Sequence, residues 1–117
     1  MPPTLADRVH HILEAIEDIE RILSGKSQQE FAEDRFLRVG IERLFEIISE
    51  ASRHIPEEMK TSATHIAWHR MADLGNWLRH AYHRIDPGIL WSIFKNDLPP
   101  LRAFVEQIVR DEENRTI

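Results

Sequence analysis

The stretch FLRVGIERLFEIISEASRHI, residues 36–55, decides the fold class because its apolar residues recur at the spacing of an α-helix. Steps of 4, 3, 4, 3 and 4 residues separate the members of its apolar seam, which are Leu37, Ile41, Leu44, Ile48, Ala51 and Ile55. Such a narrow seam is typical of helices that pack nearly parallel in a bundle. Asp34 is placed to cap this helix, and Pro56 predicts its end near Ile55.

The rest of the chain has the same helical spacing, and no segment alternates apolar with polar residues as a strand would. We expect a first helix that is capped by Thr4 and stops at Gly25, and a short helical turn over residues 28–32. Residues 57–64 are polar and predict a loop. A third helix is expected over residues 65–84, with the seam Ala67, Met71, Leu74, Leu78, Ala81 and Ile85.

The C-terminal part predicts a short helix over residues 89–96 and a fifth helix that opens at Leu98-Pro99-Pro100. Residues 111–117 are charged and are expected to form a frayed tail. We therefore predict one domain, residues 1–117, that folds as an all-α, up-and-down bundle of four main helices plus a short helix.

Composition narrows the possible functions. The 117 residues include no Cys, which excludes disulfides, thiolate metal sites and a cysteine nucleophile. The net charge of -5 argues against a globally basic nucleic-acid binder and against a polybasic membrane anchor, so any RNA site must be a local patch. No apolar run approaches the roughly 18 residues of a membrane span. We expect a soluble, cytoplasmic protein with no membrane association.

The third predicted helix carries the unusual residues. Its basic segment, residues 79–84, reads RHAYHR and is a cationic, aromatic-flanked region on an acidic protein. A second stripe lies about 100° from the seam and contains Arg70, Asp73, Trp77, His80 and Arg84. Asn76 and His83 adjoin His80 on the helix surface. The segment is either an RNA-binding site, with Arg79, His83 and Arg84 on phosphate, or an ordinary solvated face.

The run WHRMADLGNWLRHAY, residues 68–82, resembles the signature stretch of HepT-like proteins of the HEPN superfamily. The resemblance continues through Ile85-Asp86 and Leu90-Trp91, and residues 46–51 resemble the family's second-helix segment. The most specific motif of the family is an arginine, followed by four to six residues of any type, then a histidine, one residue of any type and a tyrosine. Within it, His80 matches the histidine, Tyr82 the tyrosine, and Asn76 the asparagine that commonly follows the arginine.

The resemblance implies an HEPN-like helical homodimer that acts as a metal-independent ribonuclease toxin and needs no cofactor. It implies a minimal nucleotidyltransferase antitoxin as partner, which adenylylates the motif tyrosine. His80, Tyr82 and Asn76 are then the catalytic residues, and Tyr82 is also the site of modification.

The motif arginine is missing, because Gly75 occupies its place. The cation that stabilises the phosphorane must then come from Arg79, from Arg84 or from a second subunit, or else activity is lost. Gly75 itself either permits a close approach of another backbone or is a neutral replacement. The alternative function is therefore a catalytically silent HEPN module that binds a nucleotidyltransferase or a nucleotide, and a third is a purely structural helical dimer.

Four further points stay open in the sequence. His80 and Tyr82 lie about 200° apart on an ideal helix, so within one chain they meet only if the helix loosens. Glu50 either lies on a wet edge or orients Asn76 or His80. His65 and His69 have the spacing of a zinc pair but lack the glutamate of a zincin, so we assign no metal site. The three tryptophans are expected in the core or in a dimer interface more than in base stacking.

Overall fold

The computed structural model describes residues 2–80 and 85–115, which form helices joined by short connections and contain no strand. The elements are α1 (Leu5–Leu23), α2 (Gln28–Glu33), α3 (Arg35–Arg53), α4 (Glu57–Thr61), α5 (Trp68–His80), α6 (Pro87–Ser92), a π-helical turn (Ile93–Asp97) and α7 (Leu98–Arg115). The predicted all-α bundle is confirmed. Its four long helices are α1, α3, α5 and α7. Three short helices accompany them in the described residues: α2 and α6 correspond to the expected helical turn and short helix, and α4 was not expected.

Side-chain caps fix where the first helices begin. The Thr4 hydroxyl accepts a hydrogen bond from the Asp7 backbone N–H, and the Asp7 carboxylate accepts one from the Thr4 backbone N–H. Ser27 and Glu30 form the same reciprocal box at α2. Two hydrogen bonds lower the pKa of the Asp7 and Glu30 carboxyls from its ordinary value. The bond from the backbone N–H has the larger effect, and the bond with the side-chain hydroxyl has the smaller one. Each cap therefore gives its full stabilisation when the pH is above the ordinary carboxyl pKa. This stabilisation is lost as the pH falls through the lowered pKa of the folded state.

Helix α3 lies between α1 and α5, and α1 also packs against α7. Four of the six predicted seam residues of α3 and its C-terminal extension are buried, namely Ile41, Ile48, Ala51 and Ile55. Leu37 and Leu44 are half-buried, whereas Phe45, outside the predicted seam, is fully buried. A helix with neighbours on two sides buries a wider arc than a single seam, which explains this difference.

The connection between α3 and α5 differs from the prediction. Residues 57–61 form the single-turn helix α4 where we predicted a loop, since Pro56 and the acidic Glu57 and Glu58 suit a helix start. Helix α5 begins at Trp68 and not at residue 65. The Trp68 indole Nε1 donates to the carbonyl of Ala63 at 3.1 Å, so this tryptophan holds the preceding turn in place.

The C-terminal elements also shift from their predicted bounds. Asp86 caps α6 by accepting a hydrogen bond from the Gly88 N–H at 2.8 Å, so α6 begins at Pro87 instead of Ile89. Residues 93–97 form a π-helical turn that leads directly into α7. Helix α7 extends to Arg115, and residues 111–115, expected to be a frayed tail, are helical. In residues 2–80 and 85–115, none of the helices combines the length and apolar character that a membrane span requires.

Two of the three tryptophans pack inside the bundle. Trp68 lies edge-on to Phe104 of α7, with ring centroids 5.2 Å apart. Trp91 contacts Phe94 and Phe31, with centroid distances of 5.3 and 5.9 Å. Both tryptophans are half-buried. Their rings therefore support the core and are not free platforms for nucleic-acid bases.

Helices α3 and α5 approach each other closely at Gly75, which is buried. A Cβ added to Gly75 would lie 2.2 Å from Ser49 Oγ and 2.9 Å from Ser49 Cβ. Ser49 is itself fully buried, and its hydroxyl donates to the carbonyl of Ala72 at 3.4 Å. Gly75 is therefore not a neutral replacement. It permits a close approach, although the approaching group is a side chain of the same chain and not a backbone.

We predict that Gly75→Ala lowers the free energy of unfolding by about 1 kcal/mol. Overpacking against Ser49 costs about 1 to 3 kcal/mol, and the higher helix propensity of alanine offsets about 1 kcal/mol of it. Gly40→Ala is the matched control, because Gly40 lies inside α3 and an added Cβ meets no atom within 4 Å. That control should gain up to about 1 kcal/mol. Urea denaturation measures both, and equal stabilisation by the two substitutions would contradict the tight contact.

Candidate functional site

The C-terminal half of α5 brings three of the sequence-predicted site residues together. Asn76, Arg79 and His80 are all exposed, and Asn76 precedes His80 by one helical turn. The Arg79 guanidinium Nη2 donates to Asn76 Oδ1 at 2.6 Å. Arg79 is thereby held along the helix surface beside the turn that carries His80.

A second guanidinium reaches the same amide from the neighbouring helix. Arg53 is the last residue of α3, and its Nη2 donates to Asn76 Oδ1 at 3.0 Å and to the carbonyl of Ala72 at 3.2 Å. We call Arg53, Asn76 and Arg79 the Asn76 cluster. Within the described residues, the Nδ2 group of Asn76 makes no hydrogen bond, so it is left as a donor for a ligand.

Sequence reasoning did not identify Arg53, although a signal was available. Ser49 on α3 and Gly75 on α5 are small residues that allow the two helices to approach closely. Arg53 follows Ser49 by one turn and therefore lies on the same face of α3. Once that contact is recognised, the spacing alone directs the Arg53 side chain toward α5.

Three predicted site residues, Tyr82, His83 and Arg84, lie outside the described residues, as does the predicted seam residue Ala81. The predicted extension of the third helix to residue 84 and the relation of His80 to Tyr82 lie there too. Their assignment therefore stays a prediction from the sequence.

The predicted second stripe of α5 is exposed at all four of its described positions, Arg70, Asp73, Trp77 and His80. Arg70 forms an ion pair with Asp97 of the π-helical turn, with Nη1 and Oδ2 3.2 Å apart. Trp77 leaves 51% of its surface in solvent. The stripe thus offers an accessible aromatic ring on the same helix as His80.

Glu50 contacts a different residue from those we considered. Its Oε1 lies 3.3 Å from Nε2 of His54, one turn along α3. Among the described residues Glu50 makes no hydrogen bond with Asn76 or His80. The hypothesis that Glu50 orients either residue therefore finds no contact to support it.

The candidate zinc pair does not lie on one helix. His65 precedes α5, whereas His69 is within its first turn, so the two imidazoles lack the helical spacing that the sequence suggested. In the part of the chain that the structure describes, no group of three or more His, Asp or Glu side chains is arranged to hold a metal ion.

The residue types at this end of α5 are suited to binding an anion and transferring a proton. An exposed imidazole can donate and accept protons near neutral pH, and guanidinium groups bind phosphate oxygens in a forked geometry. Among the described residues, Arg53 and Arg79 form no ion pair with a carboxylate. Their positive charges are therefore available to an anionic ligand, even though the whole chain has a net charge of -5.

Comparison with known proteins agrees with this chemistry. A family described as Ribonuclease HepT-like matches residues 12–108. The protein named "Probable ribonuclease HepT" from Thermococcus cleftensis is 35% identical over 102 residues, which cover 87% of this chain and 93% of that protein. No solved structure matches the chain.

Two relatives from Methanocaldococcus jannaschii are similarly close. "Putative RNase MJ1380" is 34% identical over 98 residues, covering 84% of this chain and 90% of the relative. "Gamma-glutamylcyclotransferase and putative RNase MJ0434" is 33% identical over 103 residues, and this chain spans only 46% of its length. Since the family match covers most of the chain and two relatives align over nearly their whole length, the chain belongs to the HepT-like family of the HEPN superfamily.

Proposed function

We propose that this chain is an endoribonuclease that cleaves RNA without a metal ion, with His80 as the proton-transfer residue. One observation carries the proposal: exposed His80 lies one turn from Asn76, whose amide holds Arg79 beside it. Membership of the HepT-like family and the names of the relatives, which include a probable ribonuclease, support the same activity.

In the proposed reaction, His80 accepts the proton of a ribose 2′-hydroxyl, and the 2′-oxygen attacks the adjacent phosphorus. The O2′–P bond forms, the P–O5′ bond breaks, and the 5′-oxygen takes a proton as it leaves. The products are a 2′,3′-cyclic phosphate and a 5′-hydroxyl end. Arg79 stabilises the negative charge of the phosphorane, and the Asn76 Nδ2 group donates to a phosphate oxygen.

We further propose that the active form is a homodimer whose interface includes the second stripe of α5. Trp77 supports this assignment, because a large aromatic ring with 51% of its surface in solvent is a common feature of interfaces. A two-fold arrangement repeats the same contacts on both subunits. The His80 of a second copy then protonates the leaving 5′-oxygen.

The family resemblance also supports a partner. We propose that the chain is a cytoplasmic toxin that a minimal nucleotidyltransferase antitoxin neutralises by adenylylating Tyr82. The Tyr82 oxygen displaces pyrophosphate from ATP, and the phenolic proton is lost. Tyr82 is the only tyrosine of the chain. The added phosphodiester carries a negative charge next to His83 and Arg84 in sequence, which would compete with RNA phosphate.

A second candidate function has one observation in its favour. Gly75 stands where the family has its arginine, and a side chain at this position would crowd Ser49 of α3. If no other residue replaces that arginine, the chain is a catalytically silent HEPN module that binds a nucleotidyltransferase or a nucleotide. Absence of RNA cleavage by the unmodified chain would favour this alternative.

We predict that His80→Ala lowers the rate of RNA cleavage at least about 100-fold, which is the lower end of what a general acid–base group contributes. His69→Ala is the matched control, since it removes an exposed histidine from the other end of α5. Gel analysis of end-labelled single-stranded RNA, in EDTA, measures cleavage and identifies 2′,3′-cyclic phosphate ends. Full activity in His80→Ala, or loss of wild-type activity in EDTA, would contradict the proposal.

The partner proposal makes a separate prediction about Tyr82. Coexpression with the nucleotidyltransferase encoded beside this chain should add one adenylyl mass to the wild type and none to Tyr82→Phe, because the phenol oxygen is the acceptor. Intact-mass spectrometry measures the addition, and the modified chain should lose RNA cleavage. An unchanged addition to Tyr82→Phe would show that another residue accepts the AMP.

A further inference from the structure

We infer that Arg53, on α3, binds RNA phosphate next to His80 and supplies the guanidinium that the family motif places at position 75. The inference rests on the proposed ribonuclease function and assigns to it a phosphate-binding residue that lies on another helix, outside the motif. Four observations support it: the space at Gly75, the contacts of Arg53, its charge environment and its place beside the donor group of Asn76.

The space at Gly75 excludes the usual arrangement. A Cβ at this position would lie 2.9 Å from Ser49 Cβ, so even the first atom of an arginine side chain requires α3 and α5 to separate. A guanidinium that starts from position 75 would therefore have to displace Ser49 or separate the two helices. A cation at this place must come from another residue.

Arg53 meets that requirement from the opposite helix. It follows Ser49 by one turn, and its guanidinium bonds the Ala72 carbonyl and the Asn76 amide, which lie on either side of Gly75 in the sequence. The side chain is exposed, so a ligand can reach it. The contact between Ser49 and Gly75 thus disfavours an arginine at position 75 of α5, and it brings Arg53 of α3 to the same turn of α5.

The charge environment of the Asn76 cluster indicates an anion as ligand. Several other arginines are paired with carboxylates, namely Arg21, Arg43, Arg70 and Arg102. Arg53 and Arg79 instead share one neutral oxygen, which holds two positive groups close together, and neither forms an ion pair with a carboxylate of the described residues. A phosphodiester would accept hydrogen bonds from both forks and relieve their repulsion.

Binding of a non-cleavable 2′-O-methyl oligoribonucleotide tests the inference separately from catalysis. Fluorescence anisotropy at several salt concentrations gives the affinity and the slope of log K against log salt. Arg53→Gln should weaken binding about tenfold or more and reduce the slope by about 0.7, the value for one phosphate contact on a single strand. Arg43→Gln, which removes a carboxylate-paired arginine from the same helix, should change neither.

Arg53→Lys provides a second test should Arg53→Gln fail to fold. Lysine keeps the charge but loses the fork, so the slope should stay at the wild-type value while the affinity falls several-fold. If Arg53 only joins α3 to α5, its substitution will lower the melting temperature and leave the slope and the affinity unchanged, which would overturn the inference. Wild-type affinity in Arg53→Lys would overturn the forked contact.

The outcomes also separate this inference from the proposed function. If the wild type binds the oligonucleotide and cleaves RNA while Arg53→Gln behaves like the wild type, Arg53 has no role and the ribonuclease proposal stands. If the wild type neither binds nor cleaves, the ribonuclease proposal fails and the assignment of Arg53 fails with it.

Discussion

The contact between Ser49 on α3 and Gly75 on α5 is the constraint on which the site depends. A glycine at this position allows the two helices to approach until the serine side chain fills the space of a missing Cβ. The approach brings the end of α3 next to the second half of α5. The position of Arg53 relative to Asn76 and Arg79 therefore depends on how closely these two helices pack.

That packing determines which groups lie at the proposed RNA site. It disfavours any side chain at position 75. It also places the Arg53 guanidinium next to Asn76 Oδ1, which accepts a hydrogen bond from Arg79 as well. The proposed catalytic residue His80 lies one turn further along α5. An acidic chain with a net charge of -5 thereby acquires a local cationic site, which the proposed binding of RNA requires.

The sequence predicted the parts of the structure that local physics determines. Helix type follows from apolar spacing, and the caps Thr4 and Asp34 follow from side chains that accept hydrogen bonds from nearby backbone N–H groups. Contacts between helices were harder to predict. The burial of Phe45 depends on α3 having two neighbours, and the role of Arg53 depends on a residue 23 positions away. Apolar periodicity identifies one face of a helix, but it does not indicate which polar residues meet across two helices.

In the proposed RNA complex, guanidiniums from both α3 and α5 bind one phosphate. The most direct measurement is an NMR titration of the wild type with a 2′-O-methyl oligoribonucleotide, observing the side-chain Nε–Hε resonances of its arginines. If both arginines bind the phosphate, the Arg53 and Arg79 resonances will shift together and saturate at the same ligand concentration, while the Arg43 resonance will not shift. A shift of Arg79 with an unchanged Arg53 resonance would contradict this proposal.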